Sequence, residues 1–214
     1  MATDTTTDTT IDVMQIRDLI ERWVVYRDAF LWDDFRKVWH EDGVMIATWS
    51  QSTYEEFIQN TETGKRDHGL WYMHILGGSG ITVEGSRAKS ITKMIITQRI
   101  DLDGVLCDMH NFARHFDFWE KREGRWGLVR RETICDKDQL IPVTPGEAPK
   151  LDKAILEQYP QEYQYLAYGI RYNGYPCSAD VPRYSGKGVP GSSLERLYEK
   201  GDAWLRGELA DPNA

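Results

Sequence analysis

The stretch that decides the fold is residues 105–135, VLCDMHNFARHFDFWEKREGRWGLVRRETIC. It contains two runs longer than ten residues, 105–119 and 125–135, with an Arg-Glu-Gly turn at 122–124 between them. Alternating side-chain character over such a run is typical of a strand, and a short turn that contains glycine joins two strands in a hairpin. Strands of this length, joined by tight turns, predict a strongly curved antiparallel sheet.

The same pattern continues towards the N-terminus, where it changes to helical spacing. Further strands are predicted at 43–49, 72–76, 80–84 and 87–100, and helices are predicted at 11–30, 32–40 and 52–60. Helices followed by a run of strands favour the α+β class. We expect a cone-shaped, curved mixed β-sheet of about six strands, covered by three N-terminal helices.

The chain divides into three parts by composition. Residues 1–10 are rich in Thr and Asp and are expected to form a disordered tail, and residues 11–136 form the predicted domain. Residues 137–214 are Pro-rich at first and then predict further helices, so we expect a helical C-terminal extension. It carries apolar surface without an obvious core of its own, and it should pack on the domain, on a neighbouring subunit or over a pocket mouth.

Composition excludes several function classes. The chain has 26 Lys and Arg residues against 34 Asp and Glu, a net charge of −8, and no basic cluster, so no nucleic-acid partner is expected. No apolar run approaches the ~20 residues of a membrane span, so no membrane partner is expected either. Three cysteines without Cys-x-x-Cys spacing, Cys107, Cys135 and Cys177, argue against a disulfide framework and a zinc site. The cytoplasm is the expected compartment.

Three residues far apart in the chain carry acid/base chemistry. Asp28 continues the Ile20–Val24 line of the first helix at i+4 spacing, so its carboxylate should face the core. His74 lies on a predicted strand and His115 lies on the long hairpin. An imidazole moves protons at neutral pH, and a carboxylate can hold one tautomer of it. These three side chains are therefore expected to meet in one apolar pocket.

Strand parity leaves the inward histidine of the hairpin open. His115 alternates in phase with Asn111 and Ala113, whereas His110 alternates in phase with the phenylalanines at 112, 116 and 118. Because the apolar side of a strand is normally the buried side, this pattern favours His110. A β-bulge would reverse the assignment.

The sequence resembles the SnoaL-like branch of the nuclear transport factor 2 superfamily over residues 11–136. Asp28 stands four residues before Trp32, and His74 begins a His-Ile-Leu-Gly-Gly run that is similar to His-Phe-Ile-Gly-Gly in the scytalone dehydratase family. The resemblance implies the cone fold, a pocket with Asp28 and His74 as catalytic residues, and a homo-oligomer, with a trimer favoured over a dimer. By the same alignment the family's second histidine falls at Thr97, and His115 replaces a pocket asparagine, which favours His115 as the inward histidine.

The C-terminal part is similar in length and style to the γ-formaldehyde lyases that act on lignin-derived aromatic dimers, including the run at 159–168. Both resemblances imply elimination from a small hydrophobic aromatic substrate without a metal or an organic cofactor. We therefore expect a cofactor-independent lyase in which His74 is the main base or acid, Asp28 orients it, and His115 serves the second proton or the departing oxygen. Residues expected to hold substrate oxygens are Tyr26, Arg27, Tyr54, Tyr72, Thr97, Arg99 and Arg114.

Three other functions stay open at this point. The first is a dehydratase of the scytalone type, which releases water and no formaldehyde. The second is a metal enzyme, because two histidines and a carboxylate can form a facial triad, although no paired His spacing on one element supports it. The third is a non-catalytic binding module, which the same fold also hosts.

Overall fold

The computed structural model describes residues 9–68 and 71–213 of the chain, without the side chains of 65–68 and 71. The predicted tail lies outside this range except for its last two residues, and the first helix begins at Thr10. The elements in chain order are α1 (Thr10–Asp28), α2 (Trp32–Arg36), β1 (Trp39–Ile46), β2 (Gln51–Thr53), α3 (Tyr54–His68), β3 (Trp71–Glu84), β4 (Arg87–Leu102), β5 (Val105–Arg122), β6 (Arg125–Pro142), α4 (Lys153–Leu156), α5 (Gln164–Tyr172) and α6 (Ser193–Leu205).

The six strands form one mixed sheet in the order β2-β1-β6-β5-β4-β3. Only the β1–β6 pair is parallel among these strands, and the other neighbours are antiparallel. The predicted class, an α+β cone with three N-terminal helices and a helical extension, is confirmed. Two short strands were predicted at 72–76 and 80–84, but β3 is one continuous strand. The two glycines at 77 and 78 lie at a register shift between Leu76 and Ser79, and pairing with β4 continues on both sides of it. β6 continues to Pro142, past the boundary predicted at 136.

The inner face of the sheet is buried along its length, whereas the outer face is buried mainly under α6. The inner face packs against α1, α2 and α3 around a core that includes Ile16, Ile20, Trp23, Phe35 and Phe57. Burial of large aromatic side chains of this kind supplies much of the hydrophobic stabilisation of a domain.

The outer face of β5 at Phe116 and Phe118 is covered by α6, from the far end of the chain. Leu197 and Trp204 of α6 pack against Phe116 and Phe118 of β5. The contact is so close that a Cβ atom at Gly201 would overlap the ring of Phe116, so this position of α6 requires glycine.

The open end of the inner face is covered by α5. Tyr163, Leu166 and Ala167 pack against Met109 of β5. Asp138 of β6 caps this helix, because its Oδ2 accepts hydrogen bonds from the backbone N–H groups of Tyr165 and Leu166 at 2.6 and 2.9 Å. A carboxylate at a helix N-terminus is favourable. Burial nevertheless raises the pKa of Asp138 to about 6.

Among the described residues, no helix is long and apolar enough to cross a bilayer.

Candidate active site

A cavity that is partly open to solvent lies between the inner face of the sheet and helices α1, α3 and α5. Counted together with the solvent at its open side, the empty space within its lining is about 860 Å³. Its walls are mostly apolar and aromatic. The described residues that line it are Trp23, Arg27, Met45, Ala47, Thr48, Trp49, Phe57, Asn60, Thr61, Gly64, Tyr72, His74, Ile96, Gln98, His115, Thr133, Leu166, Gly169, Ile170, Asn173 and Tyr175.

Asp28 and His74 form a two-point contact at the wall of this cavity. Oδ1 of Asp28 lies 2.7 Å from Nδ1 of His74, and Oδ2 accepts the backbone N–H of the same residue at 2.7 Å. The second bond is available because β3 is the last strand of the sheet, so its alternate amides have no neighbouring strand. Both carboxylate oxygens are thereby fixed, and the carboxylate determines the orientation of the imidazole.

The charges of this pair follow from its surroundings. Burial lowers the pKa of His74, and the positive charges of Arg27 and Arg131 lower it further. The hydrogen bond to Asp28 acts in the opposite direction but does not outweigh them. Burial alone would raise the pKa of Asp28, but its bonds to His74 and the charge of Arg27 hold the pKa below its usual value. At neutral pH the arrangement is therefore a carboxylate and a neutral imidazole. Nδ1–H donates to Asp28, and Nε2 is free of its proton.

Arg27 and Tyr72 stand beside the pair. The Arg27 guanidinium is buried, lies 4.6 Å from the centre of the Tyr72 ring, and makes a long contact of 3.4 Å to Oδ1 of Asp28. Burial raises the pKa of Tyr72 to about 12, so the phenol keeps its proton at neutral pH. A buried cation next to a phenol is suited to bind an oxygen that becomes negative.

His115 faces the same cavity, which decides the question that strand parity left open. Its ring meets Trp23 edge-on at 5.2 Å between centres, and Trp23 meets His74 in the same way at 5.7 Å. One indole therefore contacts both imidazoles. Among the described residues, neither Nδ1 of His115 nor Nε1 of Trp23 has a hydrogen-bond partner. Burial first, and then the charge of Arg131, lower the pKa of His115 well below its usual value.

A buried ion pair contacts Trp23 in the wall of the cavity. Arg131 makes a two-bond contact to Asp117 at 2.7 and 2.8 Å, and both side chains are fully buried. Ser90 donates to the same carboxylate at 3.1 Å. The guanidinium also stacks on Trp23 at 4.3 Å from the ring centre. The pair therefore helps to fix the position of the indole that contacts His74 and His115.

Three of the predicted substrate-binding residues lie on the outer face of the sheet. Thr97 and Arg99 alternate with Ile96 and Gln98, which line the cavity, so they point to the opposite side. Arg99 is exposed and pairs with a neighbouring carboxylate on β5. Arg114 pairs with an aspartate of β6 and with a tyrosine of α6. These side chains are not among the described residues that line the cavity.

Two tyrosines are also held elsewhere. Tyr54 stacks on Trp39 at 5.5 Å with nearly parallel rings, and Tyr26 packs against the same aromatic core. Neither is among the described residues that line the cavity. Of the seven residues predicted to hold substrate oxygens, the structure brings Arg27 and Tyr72 together with His74 and His115.

Sequence reasoning missed several residues of the cavity. Trp23 precedes Arg27 by four residues on α1, and this spacing places both on the cavity side, so a helical signal for it existed. Gln98 carried no comparable signal, whereas α5 belongs to the extension, for which a position over the pocket mouth was one of three expected alternatives. Among the described residues, no three His, Cys, Asp or Glu side chains gather as metal ligands would.

The six-stranded mixed sheet with its covering helices is the fold of the nuclear transport factor 2-like class. Within that class the chain belongs to the SnoaL-like domain family, whose profile matches residues 8–132.

Fungal relatives extend the similarity over almost the whole chain. A PEP2-like protein of Fusarium vanettenii is 34% identical over 205 residues, which cover 92% of this chain and 87% of the relative. The pea pathogenicity protein 2 of the same fungus gives the same figures. An uncharacterised protein of Emericella nidulans is 34% identical over 209 residues, with the same coverage.

Solved structures share the fold at low sequence identity. A type 3 hexachlorocyclohexane dehydrochlorinase of Novosphingobium barchaimii has a TM-score of 0.53 and 12% identity, covering 66% of this chain and 95% of that one. A protein of Novosphingobium aromaticivorans provisionally named scytalone dehydratase has a TM-score of 0.51 and 14% identity, covering 64% and 95%. At such identities these similarities show the fold alone.

Proposed function

We propose that this protein is a cofactor-independent lyase that acts on a phenolic aromatic compound by acid/base elimination. The observation that supports it best is the Asp28–His74 pair, a carboxylate holding a neutral imidazole at the wall of an aromatic cavity. A neutral imidazole whose other nitrogen is anchored is the arrangement required of a general base at neutral pH.

The first step in this mechanism is proton removal. Nε2 of His74 takes the phenolic proton, and the Asp28 carboxylate stabilises the imidazolium that results. Arg27 and Tyr72 bind the phenolate oxygen, where the negative charge develops. The phenolate electrons move through the ring and break the benzylic C–O bond, which leaves a quinone methide.

The second step concerns the departing oxygen. The N–H groups of Trp23 and His115 donate hydrogen bonds to it, and the His74 imidazolium returns its proton, so the oxygen leaves as water. His74 can then take the proton of a neighbouring hydroxymethyl group. The C–C bond breaks, its electron pair forms the new C=C bond and restores the aromatic ring as a phenolate, and formaldehyde leaves. The proton on His74 then returns to the phenolate oxygen, which gives the neutral stilbene and restores the free base. A diarylpropane diol is a substrate that fits this sequence.

A dehydratase is the second candidate, because the same residues serve it. The reaction of a dehydratase ends at the loss of water. The two solved structures described above, named as a dehydrochlorinase and provisionally as a scytalone dehydratase, share this fold. The chemistry up to the leaving group is common to both candidates, so product analysis separates them.

The test is turnover of a phenolic diarylpropane diol, with formaldehyde and stilbene measured together. His74→Ala should lower turnover at least ~10²-fold, since it removes the general base. His110→Ala is the matched control, a histidine on the opposite side of the same sheet, and it should leave turnover within about twofold. Unchanged turnover in His74→Ala would exclude the proposed role. Tight binding of aromatic ligands without any turnover would indicate a binding module.

A further inference from the structure

We propose that Phe30 is a positioning residue for the Asp28–His74 pair, because its ring, packed on Trp32, holds the last turn of α1 in place. The expected effect on turnover rests on the proposed function. The expected effect on the contact between Asp28 and His74 does not, since that contact is measured without a reaction.

Asp28 lies where a helix is least well held. It is the last residue of α1, and helix ends fray. The negative end of the helix dipole also disfavours a carboxylate at this position. Both carboxylate oxygens nevertheless make hydrogen bonds of 2.7 Å to His74, which belongs to a strand of the sheet. A movement of about 1 Å would break them, so the end of α1 must be fixed from outside the helix.

The residues after Asp28 close the helix with a Schellman motif. The N–H of Phe30 donates to the carbonyl of Arg27 at 3.3 Å, and the N–H of Leu31 donates to the carbonyl of Tyr26 at 2.8 Å. This motif requires a left-handed backbone at its turning residue, and Phe30 has a φ of 58°. Glycine adopts that conformation without strain, whereas a residue with a β-carbon does not. The backbone hydrogen bonds therefore do not account for a phenylalanine here.

Two other non-glycine residues with positive φ, among those that the structure describes, lie in a different setting. Asp103 and Glu123 occupy the two-residue turns at the ends of β4 and β5, each followed by a glycine that also has a positive φ. Hairpin turns of this kind impose positive φ on both residues. At the end of α1 glycine would serve better, so a bulky aromatic residue held in this conformation indicates a function for its side chain.

The ring of Phe30 begins a series of aromatic contacts that ends at the active site. It meets Trp32 edge-on at 5.6 Å between ring centres, and Trp32 meets Phe35 in the same way at 5.6 Å. Phe35 is fully buried and lies 5.4 Å from Trp23, which contacts His74. The turn after α1 is thereby joined to the cluster of rings that packs around His74. One aromatic cluster thus positions both partners of the pair.

Variants that remove the ring and keep the turn test this role. Asparagine and glycine both suit the left-handed conformation, so Phe30→Asn and Phe30→Gly should fold with the turn intact. Long-range ¹H–¹⁵N NMR at pH 7 should show that the His74 ring loses part of its preference for the tautomer with the proton on Nδ1. Turnover of a phenolic diarylpropane diol should fall about 10–100-fold, because the base is no longer held in its orientation.

Two further variants separate the ring from general effects on folding. Phe30→Tyr keeps an aromatic ring at the same position, so it should retain the His74 tautomer and should leave turnover within about twofold. Glu123→Gly is the matched control, because it relieves the same backbone conformation at an exposed position in the turn between β5 and β6. It should change neither measurement.

The outcomes distinguish the positioning role from the reaction. A native His74 tautomer preference in both Phe30→Asn and Phe30→Gly would overturn the role of the ring, and so would an equal loss of that preference in Phe30→Tyr. Loss in the two ring-free variants with retention in Phe30→Tyr supports the role. If that pattern appears and the native protein shows no lyase turnover, the proposed reaction is rejected and the role of Phe30 stands.

Discussion

Strand β5 is buried on both faces from His115 to Trp119, and the two faces differ in chemistry. The inner face carries Asn111, His115 and Asp117 towards α1 and the cavity, whereas the outer face carries Phe116 and Phe118 under α6. Burial of an apolar face stabilises the folded protein. Burial of a polar face destabilises it unless the polar groups form hydrogen bonds or ion pairs, within the protein or with a ligand.

The comparison indicates that the polar inner face of β5 is suited to a ligand site and that its apolar outer face contributes stability. Asp117 is paired with Arg131, but Nδ1 of His115 and Oδ1 of Asn111 lack partners among the described residues. Unpaired buried groups beside a cavity are typical of a ligand site. The same contrast holds for the two helices of the extension, because α5 closes the polar side and α6 seals the apolar side.

The largest effect on stability is expected from the ion pair of the inner face. Arg131→Met leaves the carboxylate of Asp117 buried without its partner, so the free energy of unfolding should fall by about 3–5 kcal/mol. Urea denaturation measures it.

The double variant Asp117→Leu/Arg131→Met is the control. It removes both charges and should recover most of the lost stability, because replacing a whole buried pair by apolar side chains is often neutral. It should not recover turnover, since the support of Trp23 is lost. A single variant as stable as the native protein would contradict the account of this face.

A smaller loss is expected on the outer face. Leu197→Ala leaves a cavity between α6 and β5, and the free energy of unfolding should fall by about 2–4 kcal/mol. Turnover per folded molecule should stay within about twofold, because no cavity residue changes. Loss of turnover in a folded variant would show that the outer face also contributes to the site.

The smallest effect concerns the polar anchor of α5. The pKa of Asp138 is raised to about 6 in the folded protein, above its unfolded value of about 3.9. The folded state therefore binds this proton more tightly than the unfolded state does. The contribution of Asp138 to the free energy of unfolding is complete below about pH 4 and is lost as the pH rises through about 6.

Asp138→Asn keeps an acceptor for the two backbone N–H groups and removes the buried charge. Above pH 7 the free energy of unfolding of this variant should be about 1–2 kcal/mol higher than that of the native protein, after allowance for partial solvent screening. The difference should shrink as the pH falls from about 6 to 4. A variant that is less stable at high pH and recovers at low pH would contradict this sign.

Much of the fold followed from local patterns. The i+4 line that ends in Asp28 and the alternation around His74 placed both residues correctly on elements that meet, because helix and strand periodicity are local properties. The length of the hairpin strands likewise predicted a single curved sheet.

The rest depended on contacts between distant segments. Alternation in β5 favoured the phenylalanine side as the inner one, because nothing near it in the chain shows that α6 returns to cover that side. Thr97 was expected at the pocket because the family resemblance aligned it with a histidine, and Arg99 and Arg114 because their side chains can bind substrate oxygens. The face of the sheet on which these three side chains lie is set by strand register, which a single strand does not reveal.

The proposed chemistry depends most directly on the protonation of His74. Long-range ¹H–¹⁵N correlation NMR of the histidine side chains, assigned with a His74→Gln variant, measures it. At pH 7 we predict a neutral His74 ring with its proton on Nδ1, and loss of that tautomer preference in Asp28→Asn. A proton on Nε2, or a positively charged ring at pH 7, would contradict His74 as the base that begins the elimination.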